Sequence, residues 1–363
     1  MHIDIFVTLA GFIVGIVVGM TGMGGGALMT PILVLVFGVQ PLTAVSSDLV
    51  ASFVMKPFGA SVHLRRKTVR WEVVKWLAIT SIPFAFAGVF VLRAFGDADA
   101  MQNRVKVFLG IALLMSSGLI VIKAALQRRQ AARLAAAGIT EPPSGVPIKV
   151  RPIPTMIIGA VGGLVVGMTS VGSGSLIIVA LMILYPTLVG KELVGTDLVQ
   201  AVPLVAAAAL GHVLYGDFVL GLTVSLLLGC VPGVLIGAHM SSKAPDSVVR
   251  PLLAFVLLAS GLKLVNMGTG ALGWTMLIVA IVGLAIWGAI DGLSFKREVW
   301  ESAGINRKTW LSWETLGAFF GVGAIAAVVY FIRVRPQLVA QAHVVGTASE
   351  TVVMPEAEPT PAL

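Results

Sequence analysis

The chain predicts an all-α polytopic membrane protein: two homologous repeats of about four membrane segments each, the first segment of each broken by glycines, plus two extra C-terminal spans. Three observations carry this. Of 363 residues, 57% are hydrophobic and only 12% are charged, about half the charged share of a soluble domain. The apolar residues fall in runs of about 20, enough to cross a bilayer as helix, and the runs are continuous where a membrane barrel would alternate along short segments. Finally, the chain repeats itself. Gly19-Met20-Thr21-Gly22-Met23-Gly24-Gly25-Gly26-Ala27-Leu28 returns 148 residues later as Gly167-Met168-Thr169-Ser170-Val171-Gly172-Ser173-Gly174-Ser175-Leu176. Asp48 and Asp197, His63 and His212, Pro83 and Pro232, and Gly88 and Gly237 follow at a spacing of 149.

In chain order, residues 1–126 are expected to form the first transmembrane repeat. Its apolar stretch from Ile5 to Val39 is too long for one ordinary span and is interrupted at glycines 22 and 24–26; spans follow near 43–63, 73–92 and 105–124. Pro41 suits a helix start. Residues 127–152, with Arg128, Arg129, Arg133 and the turn-rich Glu141-Pro142-Pro143-Ser144-Gly145, read as a cytoplasmic linker whose first part continues the preceding helix. The second repeat is expected over 153–267, with a broken stretch from Ile153 to Val189 and spans near 194–214, 219–239 and 249–266. A C-terminal transmembrane pair, near 272–290 and 314–332 within 268–335, has no repeat partner. The tail 336–363, with three glutamates and four prolines, is expected to be disordered.

The net charge of +8 sits in short loops: Arg65, Arg66, Lys67 and Arg70; the linker arginines; and Lys296, Arg297, Arg307 and Lys308. That is the positive-inside pattern, not a nucleic-acid surface. It places these loops in the cytoplasm and favours inverted repeats, because each repeat then crosses an odd number of times. The N-terminal run has no basic leader and continues into the glycine motif, so it reads as a retained membrane segment. The single cysteine, Cys230, allows neither an internal disulfide nor a thiolate metal site. No cofactor and no catalytic residue is expected.

A duplicated membrane unit with an interrupted helix in each half is the layout of a secondary transporter, with the substrate site at the breaks. Unwound backbone at membrane depth is tolerated only where protein or a wet cavity surrounds it. A half-helix starting near Ala27 or Ser175 would present free N–H groups to an anion. The candidate substrate-binding residues are therefore Thr21, Gly22, Gly24, Gly25 and Gly26 in the first break and Thr169, Ser170, Gly172, Ser173, Gly174 and Ser175 in the second. The alternative is that small residues merely allow close helix packing. A phosphate-binding nucleotide loop is disfavoured, since no strand precedes the motif and no Gly-Lys-Ser/Thr follows.

Asp48 and Asp197 are the lone acids of their spans. A carboxyl at bilayer depth costs about 2.5–3.5 kcal/mol, so each is either a proton carrier or, near its helix start, an N-terminal cap or an acid lying at the interface. His63 and His212, the other proton-coupling candidates, lie 15 residues beyond these acids, about 22 Å along an unbroken helix; His63 abuts Arg65 and Arg66 and could be interfacial. Lys56, in mid-span with Val205 as its repeat partner, is either an anion-binding charge or a snorkelling side chain. Lys263 is similar but nearer a helix end. An intramembrane protease using the two aspartates, or Ser173 and Ser175 with His212, lacks the flanking signatures and matched groups such enzymes need. A membrane scaffold and an uptake permease for a small carboxylate also stay open.

The segment Gly22-Met23-Gly24-Gly25-Gly26-Ala27-Leu28-Met29-Thr30-Pro31, with Gly59-Ala60-Ser61-Val62-His63-Leu64-Arg65 and Val69-Arg70-Trp71, resembles the signatures of the sulfite exporter TauE/SafE family, the TSUP transporters. The resemblance covers about 5–126 and 153–267. It implies a multi-pass protein of the bacterial inner (plasma) membrane, embedded in lipid, that exports sulfite, sulfonates or related small anions. The chain departs from the pattern at Gly172-Ser173-Gly174-Ser175, at Val179-Ala180, at the two aspartates and at Arg66-Lys67, which leaves the substrate open.

Overall fold

The computed structural model describes residues 4–21, 25–94, 98–136, 148–188, 190–240, 246–268, 270–279, 297–306, 308–310 and 328–341. All regular structure among them is helical. The chain divides into two units, Met1–Gly268 and Thr269–Leu363.

Among the described residues, the first unit contains ten helices in sequence: α1 Ile5–Thr21, α2 Gly26–Leu35, α3 Pro41–Arg65, α4 Trp71–Arg93, α5 Ala98–Ala136, α6 Pro152–Thr169, α7 Leu176–Leu184, α8 Gly190–Tyr215, α9 Leu220–Met240 and α10 Asp246–Leu264. By length and composition, α4, α6 and α8 and the segments Met101–Gln127 of α5 and Leu220–Gly237 of α9 can each cross a membrane; α1, α2, Pro251–Leu264 and Gly270–Val279 are shorter apolar helices. Helix starts follow local chemistry. Pro41 and Pro152 stand in the first turns of α3 and α6, where a missing N–H leaves nothing unpaired. Prolines 57, 83, 203, 232 and 251 lie inside helices, tolerated at depth because neighbouring groups satisfy the freed carbonyls.

The apolar stretches break where the glycine motifs stand. Helix α1 ends at Thr21 and α2 begins at Gly26; α6 ends at Thr169 and α7 begins at Leu176. Ser170 closes α6 in the left-handed region, with φ 61°, and Gly172 follows at φ 117°. The chain then doubles back. At the end of α7, the Tyr185 hydroxyl meets Thr155 Oγ1 at 2.6 Å and accepts the Arg151 N–H at 3.0 Å, beside the start of α6.

Close packing rests on small residues. Gly159, Gly163 and Gly167 of α6 lie against the backbone of Leu77, Ser81 and Ala85 of α4, and Gly229, Gly233 and Gly237 of α9 lie against Thr8, Phe12 and Ile16 of α1. In both pairs the contacts advance together along the two helices, so each pair runs parallel. A row of glycines every four residues removes the side chains that would hold two helices apart, and dispersion and lipid release drive their association. Helix α8 runs antiparallel to α3, its Gly195 beside His63 and its His212 beside Ser46, and α5 packs on α10. The first helix of each half thus rests on the fourth helix of the other.

Helix α5 continues to Ala136, ten residues into the expected linker; residues 137–147 lie outside the described residues. Within the second unit, Trp300 stacks on Tyr330 with ring centroids 6.2 Å apart, and Val334 and Leu338 complete a small core. Most of the two expected C-terminal spans falls outside the described residues, as does the tail from 342. Residues 336–341 correct the tail expectation: they are helical, continuing from a π-helical turn at Tyr330–Val334.

Candidate functional site

The two broken segments meet across α3. A Cβ built on Gly26 would lie 2.7 Å from the Ser170 carbonyl carbon, so the breaks touch backbone to backbone, and glycine is required there by the contact. Below them on α3, Asp48, Ser52 and Lys56 stand at successive four-residue intervals, one stripe of the helix.

Asp48 is fully buried. Its Oδ2 accepts from Thr30 Oγ1 of α2 at 2.8 Å and from Ser170 Oγ of the second break at 2.7 Å. Its Oδ1 has no hydrogen-bond partner. The carboxylate therefore pins the first half-helix to the second break through one oxygen and leaves the other open. Ser52 Oγ is also buried and unpartnered. Lys56 is 8% exposed; its Nζ donates to Ser173 Oγ at 2.6 Å, and its charge interacts with both Asp197 and Asp48. Asp197, on α8, is 2% exposed with Oδ1 unpartnered. Lys56 on α3 thus reaches the second break through Ser173, with Asp48 two turns earlier on its own helix. A buried cation with part of its donor capacity unused, next to an unpartnered hydroxyl, is suited to an anion.

A cavity of about 300 Å³ adjoins this cluster, lined among others by Gly25, Ser52, Met55, Lys56, Phe58 and Leu198. It follows α3 from Ser52 to Val62 and α9 to His239, toward the end of α3 that carries Arg65 and Arg66. Gly25, at the N-terminus of α2, is part of the cavity wall.

The other candidates fall in different places. Gly22 and Gly24 lie outside the described residues. Thr21 Oγ1 donates to Val17 O and Thr169 Oγ1 to Val165 O, each on its own helix. Ser175 Oγ donates to Ser116 Oγ of α5 at 3.1 Å; Gly172 and Gly174 belong to the turn that carries Ser173. The cap alternative for the aspartates is overturned, because α3 and α8 begin at Pro41 and Gly190, about two turns ahead of each acid. The snorkelling alternative for Lys56 fails on its burial.

The histidines do not join the cluster. His212 is fully buried; its Nε2 lies 2.7 Å from Gly167 O and its Nδ1 2.8 Å from Ser46 Oγ. A carbonyl only accepts, so Nε2 carries the hydrogen and Nδ1 takes the Ser46 hydroxyl. That bonding fastens α8 to α6 and α3 and separates His212 from Ser173 and Ser175, which removes the serine-protease arrangement. His63 is partly exposed, with Nδ1 2.9 Å from Thr68 Oγ1. Thr30 and Ser52 were not among the sequence candidates. Ser52 carried a signal, lying midway between Asp48 and Lys56 at helical spacing.

The family model described as Sulfite exporter TauE/SafE matches residues 7–264. The chain belongs to the TauE/SafE family. This TauE/SafE protein is 36% identical over 263 residues to the probable membrane transporter protein YjnA of Bacillus subtilis (strain 168), covering 72% of this chain and 100% of that protein. It is 23% identical over 261 residues to the probable membrane transporter protein YdhB of the same organism, covering 71% and 98%. No solved structure matches it. The chain is accordingly a multi-pass membrane protein of a transporter family and not an enzyme. The match ends at residue 264, so the second unit lies beyond it.

Proposed function

We propose that this TauE/SafE protein is a secondary transporter that exports a small sulfite-like or organosulfur anion across the bacterial inner membrane by alternating access. The observation that carries the reading is Lys56: a buried ammonium held by Ser173 where the two helix breaks meet, beside a cavity.

Inverted repeats fit the packing. Helices α3 and α8 are antiparallel, α6 runs with α4, and α1 runs with α9. The hairpin α6–α7 then enters from the face bearing the basic 65–70 loop, and α1–α2 enters from the opposite face. Each repeat crosses three times, and the cytoplasmic side is the one toward which the cavity extends. The His212–Gly167 brace lies toward the other face. In the twofold-related arrangement, Gly19 corresponds to Gly167, so the carbonyl of Gly19 is the partner that His63 takes when the cavity closes and the His212 brace opens.

Asp48 couples a proton to this cycle. Ser170 and Thr30 both bond Oδ2, so a proton on Oδ1 neutralises the carboxylate without breaking either bond. Neutral Asp48 no longer competes with the substrate for Lys56, and proton and anion bind cooperatively. Export of an anion with one proton is electroneutral and runs down the anion's own gradient; without the proton, a negative-inside potential adds about 2.3 kcal/mol per charge per 100 mV. The same cooperativity favours a second reading, uptake under an inward proton gradient.

Flux of sulfite, sulfoacetate, thiosulfate and acetate into proteoliposomes, with pH gradients of either sign, tests both readings. Flux lost in Lys56→Gln supports the site; flux unaffected by that change overturns it. Acceleration by a proton gradient in the direction of anion movement supports the coupling.

A further inference from the structure

We infer that the cavity beside Lys56 selects a monoanion carrying an apolar body of about four to six carbons, an alkyl sulfonate or carboxylate in preference to an inorganic anion; this rests on the transport site proposed above. The first argument is size. A volume of about 300 Å³ corresponds to about ten waters at ~30 Å³ each, and a four-atom anion such as sulfite fills only a small part of it. The second is the distribution of wall chemistry. Lys56, the unpartnered Ser52 hydroxyl and Gly25 at the head of α2 cluster at the helix breaks. From there Met55, Phe58 and Leu198 give an apolar wall. A small hydrated anion leaves that wall against water. A hydrocarbon body attached to the anionic head covers it, and apolar burial is the term that grows with chain length.

The third argument is charge. Among the described residues Lys56 is the one lysine or arginine of the lining, with His239 at its far end, and the charges of Asp48 and Asp197 act on it. One ammonium beside two acids balances a single added negative charge only when both acids are protonated. A dianion would add an uncompensated charge in a buried site, where unpaired charge is heavily penalised. The position therefore discriminates by charge at one end and by chain length at the other.

The test is calorimetric titration of the full chain in lipid nanodiscs with sulfite, the n-alkanesulfonates from methane- to hexanesulfonate, hexanoate and 1,3-propanedisulfonate, with empty nanodiscs subtracted. The expected dissociation constant falls about fourfold per methylene until the cavity is filled. The disulfonate is expected to bind at least tenfold more weakly than propanesulfonate, while hexanoate reports whether the head site takes carboxylates as well. Phe58→Ala, at the half-exposed mouth, is expected to reduce the step per methylene. Lys56→Gln is expected to abolish binding of the whole series, and Lys56→Arg to retain its chain-length trend. Sulfite binding as tightly as pentanesulfonate, with dependence on Lys56, overturns this inference and leaves the transport site standing. A chain-length trend unchanged in both Lys56→Gln and Phe58→Ala is lipid partitioning and also overturns it. Binding of every anion without dependence on Lys56 overturns the site itself.

Discussion

Ser170, in the break after α6, donates its hydroxyl to the Asp48 carboxylate of α3 at 2.7 Å across 122 residues of sequence. Thr30 donates to the same oxygen. Removing the acceptor leaves two buried hydroxyls to find other partners, each costing about 1–3 kcal/mol if none is found. Asp48→Ala is therefore expected to lower the thermal transition of the detergent-solubilised protein. Asp48→Asn keeps an acceptor oxygen at that place; it is expected to hold the transition near wild type while anion flux loses its response to a pH gradient. Equal destabilisation by the two substitutions contradicts this assignment.

Lys56 contributes charge where both breaks converge. Lys56→Gln is expected to reduce anion flux at least tenfold, equivalent to about 1.4 kcal/mol or more of lost anion stabilisation. Lys56→Arg is expected to restore part of it. Initial rates in proteoliposomes, normalised to correctly folded protein, measure both.

The His212 brace is expected to govern access from the face opposite the basic loop. With the single native thiol removed as Cys230→Ser, a thiol introduced by Ser175→Cys reports reagent access to the junction from each side. Adding His212→Ala, which severs the bond to Gly167, is expected to raise its labelling rate from the non-cytoplasmic face severalfold. An unchanged rate means the brace is not a gate.

Glycines differ sharply in what they tolerate. A Cβ on Gly167 would lie 2.9 Å from the Ala85 carbonyl carbon, and one on Gly26 would strike the Ser170 backbone, whereas Gly118 has nothing within 4 Å. Gly26→Ala and Gly167→Ala are expected to abolish folded yield, judged by size-exclusion profile. Gly118→Ala, in the middle of α5, is expected to be neutral or stabilising by up to about 1 kcal/mol.

Much of this arrangement was legible because it is local. Apolar run length located the helices of the first unit, and the glycine clusters marked both interruptions, since unwound backbone at that depth needs small residues. Apolar run length puts the spans near 43–63 and 194–214, two and four residues after the observed starts of α3 and α8, and this leaves a cap reading of Asp48 and Asp197 open. Pro41 was recognised as a start signal, but Gly190 and Lys191 are polar enough to read as loop. The partners of the acids were not legible. Thr30 and Ser170 reach Asp48 only after both hairpins fold back on α3, and no periodicity encodes a contact between segments 122 residues apart. The repeat pairing of the histidines suggested like roles, yet His212 is sealed between helices while His63 stands at a loop. An asymmetric conformation hides that equivalence from the residues alone.

Ser170 holds φ at 61°, a region few non-glycine residues adopt. The first break has glycines through 24–26, whereas here a side chain accepts an awkward backbone in order to keep its hydroxyl on Asp48. Two demands meet at one residue: the turn favours glycine and the carboxylate needs an oxygen donor. Ser170→Gly would relax the chain while cutting the tie to α3, so the most comfortable residue for the turn is the one that uncouples it from the acid.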